Sequence, residues 1–142
     1  MNKLLVVGIT GALAGGLAFA ASAQTHSAKD EVSTAHAHAM MAQSATSVSM
    51  AHAHLQHVIN CLVGPNGTGF DAKAEDPCKG QGNGAIPDAA SDHALHAKLE
   101  SALSDAQAGL KADSLAAVHQ DAGKAAAGLQ GGSTAKAGSS SW

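Results

Sequence analysis

Nine histidines are the residues of this chain with the clearest capacity for chemistry, and five of them lie between positions 36 and 57. Neutral imidazole binds zinc, copper and nickel, and among divalent ions its intrinsic preference peaks at Cu²⁺. On a helix, residues three apart lie about 60° from one another, so His54 and His57 share a face, as do His93 and His96. The sequence therefore predicts a site for a divalent transition metal (copper, nickel or zinc) among His36, His38, His52, His54, His57, His93 and His96.

The alternating pairs His36/His38 and His52/His54 are weaker signals by themselves. Residues two apart on a helix are separated by about 200°, so neither pair chelates an ion from one regular helix. An exposed histidine on an alanine-rich helix can also serve only solubility. The clustering of five histidines favours metal binding over that alternative.

Met40, Met41 and Met50 lie in the same region. Thioethers are suitable ligands for Cu(I), and a mixture of histidine and methionine is typical of copper sites. The favoured interpretation is that these methionines fill gaps in a core that lacks large aromatic side chains.

The two cysteines, Cys61 and Cys78, have neither CxxC nor haem-attachment nor zinc-finger spacing. In an oxidising compartment, a disulfide is the expected state, and a thiolate metal ligand is the alternative. Closing this loop contributes roughly 3 kcal/mol in the chain-entropy model.

Alanine-rich segments with helical apolar spacing predict an all-α fold, most simply an up-down four-helix bundle. Asp88 or Ser91 is expected to cap the third helix, and Asp113 or Ser114 the fourth. Glycine and proline dominate residues 63–88, which are predicted as a loop closed by the disulfide. The helices are expected at about 27–43, 48–62, 89–108 and 114–127, with breaks near Gly109 and Gly128.

The first two helices are expected to form a hairpin that reverses in the run Ser44-Ala45-Thr46-Ser47, although one continuous helix is the alternative. In the hairpin, Met41 faces Met50, and His38 lies level with Ala53, between His52 and His54. The dispersed histidines would then form one patch. A continuous helix would separate them.

The N-terminus predicts export. Lys3, an apolar run and Ala21-Ser22-Ala23 form the pattern of a signal peptide over residues 1–23, with the mature chain starting at Gln24. Glycines dilute the apolar run, which disfavours a retained membrane anchor. A helical domain is then expected over 24–130, a disordered Gly/Ser-rich tail over 131–142, and a periplasmic or secreted location.

The charge pattern excludes some partners. The chain has no arginine, its lysines are scattered, and its net charge is −3. Nucleic-acid binding requires a basic face, and a membrane surface requires a basic patch, so neither partner is expected after signal cleavage. No catalytic triad or pair of carboxylates suggests an enzyme.

The His- and Ala-rich segments 27–57 and 91–127 after a signal peptide resemble small periplasmic metal-binding proteins. The resemblance implies a helical bundle that sequesters or buffers divalent or copper ions. Two alternatives remain open: a cell-envelope interaction protein that presents the Gly-rich loop to a partner, and a small haem-binding bundle with His and Met axial ligands.

Overall fold

The computed structural model describes residues 19–133, with side chains from 28 to 131, and this part is all-helical. The predicted signal peptide and the predicted tail fall mainly on residues 1–18 and 134–142, outside the described residues. None of the helices within 19–133 combines the length and apolarity needed to span a bilayer. The elements are α1 (Phe19–Ser44), α2 (Val48–Val63), α3 (Ala85–Asp88), α4 (His93–Lys111) and α5 (Leu115–Ser133).

The four long helices form the predicted bundle. Helix α1 packs against α2 and α5, and α4 packs against the same two helices. Consecutive long helices are thus neighbours, as in an up-down arrangement. The core is thin because many of its members on α1, α4 and α5 are alanines, which pack against larger side chains on α2. Its fully buried members include Ala35, Ala39, Ala42, Leu55, Val58, Leu62, Leu99, Ala102, Ala106, Val118 and Leu129.

The α1–α2 hairpin is confirmed. Helix α1 ends at Ser44, the chain reverses through residues 45–47, and α2 begins at Val48. Ser47 has extended backbone angles, and its side chain accepts a hydrogen bond from the Met50 backbone N–H. This N-cap satisfies one of the free donors of the first turn and fixes where α2 starts.

Helix α4 starts later than predicted. The expected caps were Asp88 or Ser91, but the Asp92 side chain accepts the Leu95 N–H at 3.0 Å. Asp88 is buried at the end of α3 and instead accepts from the Asn83 backbone N–H at 3.0 Å. The predicted Ser114 cap is confirmed, since its hydroxyl accepts from the Ala117 N–H.

The predicted breaks at two glycines are wrong. Helix α4 continues through Gly109, and α5 continues through Gly128. A Cβ at Gly109 would lie 2.8 Å from Leu55 Cδ1, and one at Gly128 would lie 3.4 Å from Ala102 Cβ. Gly109 therefore marks a close approach between helices, whereas a Cβ at Gly128 would make an ordinary van der Waals contact.

The Gly-rich segment is held by three features. The predicted disulfide between Cys61 and Cys78 is present, with a Cα–Cα distance of 5.2 Å. The backbones of Gly64 and Gly84 cross so closely that a Cβ at Gly84, where φ is +117°, would lie 2.6 Å from the Gly64 nitrogen. Residues 85–88, predicted as loop, form the single-turn helix α3 against α1 and α2.

Candidate metal centre

Three of the predicted histidines converge between α1 and α2. The Nδ1 atom of His38 lies 3.3 Å from Nδ1 of His54 and 3.3 Å from Nδ1 of His57. The three ring centroids are 4.9 to 5.8 Å apart. Each residue offers one nitrogen to a group in which all ligand atoms lie within 4.8 Å of one another. We call His38, His54 and His57 the His triad.

Local packing explains the convergence. The buried Leu55 and Val58 hold one face of α2 in the core, which places His54 and His57 together at its edge. On α1, Ala35 and Ala39 are fully buried, and their small side chains allow the helices to approach. His38 meets His54 and His57, slightly further along α2 than the predicted level of Ala53.

Two members of the triad, His38 and His57, are biased toward their neutral forms. Burial lowers the pKa of His38, and the neighbouring His57 and His54 lower it further, while Glu75 acts in the opposite direction. Burial also lowers the pKa of His57, assisted by His54 and opposed by Glu75. Neutral imidazoles keep the nitrogen lone pairs that a metal requires.

Two of the three nitrogen separations, which are hydrogen-bond contacts in this structure, equal those between ligands of one ion. Two nitrogens bound to zinc at about 2.0–2.1 Å with a tetrahedral angle between them lie roughly 3.3–3.4 Å apart. Adjacent ligands of a square-planar ion would lie roughly 2.8–3.0 Å apart. The two 3.3 Å separations around His38 therefore match tetrahedral geometry. Three protein nitrogens would leave the fourth position open.

Two other histidines have structural hydrogen bonds. His52 Nε2 donates to the carbonyl of Ala112, at the C-terminal end of α4, at 3.0 Å. His119 Nε2 donates to the carbonyl of Ala45 in the α1–α2 turn at 2.8 Å. Each imidazole thus satisfies a backbone carbonyl that lies outside regular helix bonding. Of this alternating pair, His52 makes a structural hydrogen bond and His54 belongs to the His triad.

The remaining predicted ligands lie apart from the triad. His36 is two residues before His38 on α1, on a different side of the helix, and is partly buried. His93 and His96 lie in the first turns of α4 and do not join the group of converging ligand atoms.

The three methionines are not core residues, so the interpretation that they fill gaps in the core is wrong. Met40, Met41 and Met50 are 46–49% exposed around the α1–α2 turn. Ala39, Ala42, Ala45 and Ala51 occupy the buried positions there.

Sequence reasoning missed Asn60, which is 1% exposed and lies one turn after His57. Its Nδ2 donates to the carbonyls of Asp71 at 3.1 Å and Glu75 at 3.2 Å. Its Oδ1 accepts from the Asp71 N–H at 2.9 Å. A buried amide needs such partners, so Asn60 fixes the Gly-rich loop beside the triad. The available signal was a lone polar residue within the apolar run Val58–Val63.

Comparison of the chain with protein-family models, with curated proteins and with solved structures finds no significant match. The functional argument therefore depends on the geometry of the site.

Proposed function

We propose that this protein binds a divalent transition metal through the His triad and buffers or sequesters that ion outside the cytosol. The observation that carries the proposal is the convergence of three imidazoles, with the Nδ1 atoms of His54 and His57 each 3.3 Å from Nδ1 of His38. Contacts between imidazole rings contribute little to stability. A metal ion, in contrast, would bind favourably to three nitrogens that already lie close together.

The two 3.3 Å separations around His38 favour zinc among the candidate ions. Zinc takes tetrahedral nitrogen sites, whereas Cu²⁺ and Ni²⁺ prefer tetragonal arrangements. Copper retains the higher intrinsic affinity for imidazole, so a side-by-side titration has to separate geometry from intrinsic preference. Met40 and Met41 follow His38 by two and three residues on α1, and their side chains are exposed.

Partial exposure of the three imidazoles fits a buffering role. Ion exchange with the surroundings requires such access. The predicted signal peptide and the disulfide both fit an exported protein that meets metal ions directly.

The haem-binding alternative gains no support from the triad. Axial ligands approach haem iron from its two faces with the macrocycle between them. Here the ring centroids of His38 and His57 are 4.9 Å apart and the rings contact each other, so a haem macrocycle does not fit between them.

Calorimetric titration of the purified protein with Zn²⁺, Cu²⁺ and Ni²⁺ tests the proposal. We expect one tight site in the wild type and a loss of about tenfold or more in affinity in His38→Ala, because one of three ligands is removed. His36→Ala is the matched control, since it removes a histidine from the same helix outside the triad. Equal affinities of the two variants and the wild type would contradict the proposal.

A further inference from the structure

The Gly-rich loop is attached to α2 immediately beyond the triad. His57, Asn60 and Cys61 lie three and four residues apart on one side of α2. Cys61 is bonded to Cys78, and Asn60 donates to the Glu75 carbonyl at 3.2 Å. The loop backbone at residue 75 is therefore fixed within one helical turn of a triad member. The disulfide and the Asn60 hydrogen bond thus restrain the loop beside the triad.

Glu75 is the carboxylate of this loop whose backbone is fixed beside the triad, since its carbonyl accepts from Asn60 Nδ2 one helical turn after His57. Its negative charge acts on both His38 and His57, which lie on different helices. No other carboxylate acts on either imidazole among the described residues. The side chain of Glu75 is exposed and makes no ion pair in the described part of the chain, so it is free to turn.

We propose that Glu75 supplies the fourth ligand of the metal site, which makes the disulfide-closed loop part of the metal centre. The inference rests on the proposed function of the His triad. The group of ligand atoms within 4.8 Å of one another contains the three imidazoles and not Glu75. Ligation therefore requires rotation of the Glu75 side chain about a backbone that Asn60 and the disulfide already hold in place.

The resulting donor set has a chemical consequence. Three neutral imidazoles leave the full double charge of a divalent ion uncompensated, and one carboxylate halves it. Nitrogen and oxygen donors in a tetrahedral arrangement suit Zn²⁺, whereas Cu(I) prefers softer sulfur ligands. The loop thus adds selectivity for a divalent ion to a site built by the two helices.

Substitution of Glu75 by Gln tests the fourth ligand, because the amide keeps the shape and removes the charge. Glu100→Gln is the matched control, since Glu100 is an exposed carboxylate on α4. We expect Zn²⁺ affinity to fall about tenfold or more in the Glu75 variant and to stay at the wild-type value in the Glu100 variant. The visible bands of bound Co²⁺ should also change in the Glu75 variant alone, because water or the amide replaces the carboxylate.

A His38→Ala arm separates the two proposals. If His38→Ala abolishes binding while Glu75→Gln matches Glu100→Gln in affinity and in the Co²⁺ spectrum, the carboxylate ligand is refuted and the triad stands. If the wild type binds neither Zn²⁺ nor Co²⁺, the proposed function itself fails and the carboxylate ligand fails with it.

Discussion

Glu31 on α1 is a buried carboxyl group whose charge should make stability depend on pH. It is 1% exposed; its Oε1 accepts the Gly84 N–H at 2.8 Å, while Oε2 has no hydrogen-bond partner. Burial raises the pKa of Glu31 from 4.5 to about 7, against the opposing effect of the Gly84 hydrogen bond. The carboxylates of Asp88, Asp76 and Asp30 add to the rise.

The sign follows from proton linkage. Because the folded protein holds this proton more tightly than the unfolded chain, the free energy of unfolding falls as the pH rises from 4.5 to about 7 and stays lower above it. At about 1.4 kcal/mol per pKa unit, the full shift corresponds to at most about 3.5 kcal/mol. Glu31→Gln removes this titration and keeps an oxygen for the Gly84 N–H.

We therefore expect the stability of Glu31→Gln relative to the wild type to increase by about 2–3 kcal/mol between pH 4.5 and pH 8. Urea unfolding at stepped pH, with a chelator present, measures this difference. The lowered pKa values of His38 and His57 produce an opposite slope of stability with pH below 6.5, and this slope cancels in the comparison. Glu100→Gln, at an exposed position, should show no such trend. Parallel curves for Glu31→Gln and the wild type would refute the reasoning.

Three further predictions concern the metal, the disulfide and the packing. Zn²⁺ affinity should fall as the pH drops below about 6, because protons compete for the triad imidazoles; calorimetry at pH 5 with undiminished affinity would contradict this. Reduction of Cys61–Cys78 should lower the free energy of unfolding by roughly 3 kcal/mol while the helical circular dichroism remains, and an unchanged urea midpoint would count against it. Gly109→Ala should lower the free energy of unfolding by about 1–3 kcal/mol, because its Cβ would lie 2.8 Å from Leu55 Cδ1. Gly128→Ala is the control and should be close to neutral, since its nearest contact would be at 3.4 Å. Equal melting temperatures of the two variants would disprove the packing argument.

The sequence was sufficient for the fold class, because alanine-rich segments and the cysteine pair are local signals. The hairpin was also predictable, since the hydroxyl residues before Val48 provide a cap. It was this hairpin that indicated a meeting of His38 with the histidines of α2.

The roles of individual side chains depend on contacts distant in sequence. His52 and His54 are separated only by Ala53, yet His52 bonds to Ala112, 60 residues away. The contact between Glu31 and Gly84 likewise joins residues 53 apart. Gly109 lies in a close helix contact, which no local propensity reveals. Such features arise only when the bundle assembles.

Anomalous X-ray scattering at the zinc edge from crystals of the zinc-loaded protein tests the central claim most directly. Our account predicts a single ordered zinc ion at about 2.0–2.1 Å from the Nδ1 atoms of His38, His54 and His57. Zinc bound instead at His93 and His96, or no ordered zinc at the triad in fully loaded protein, would contradict it.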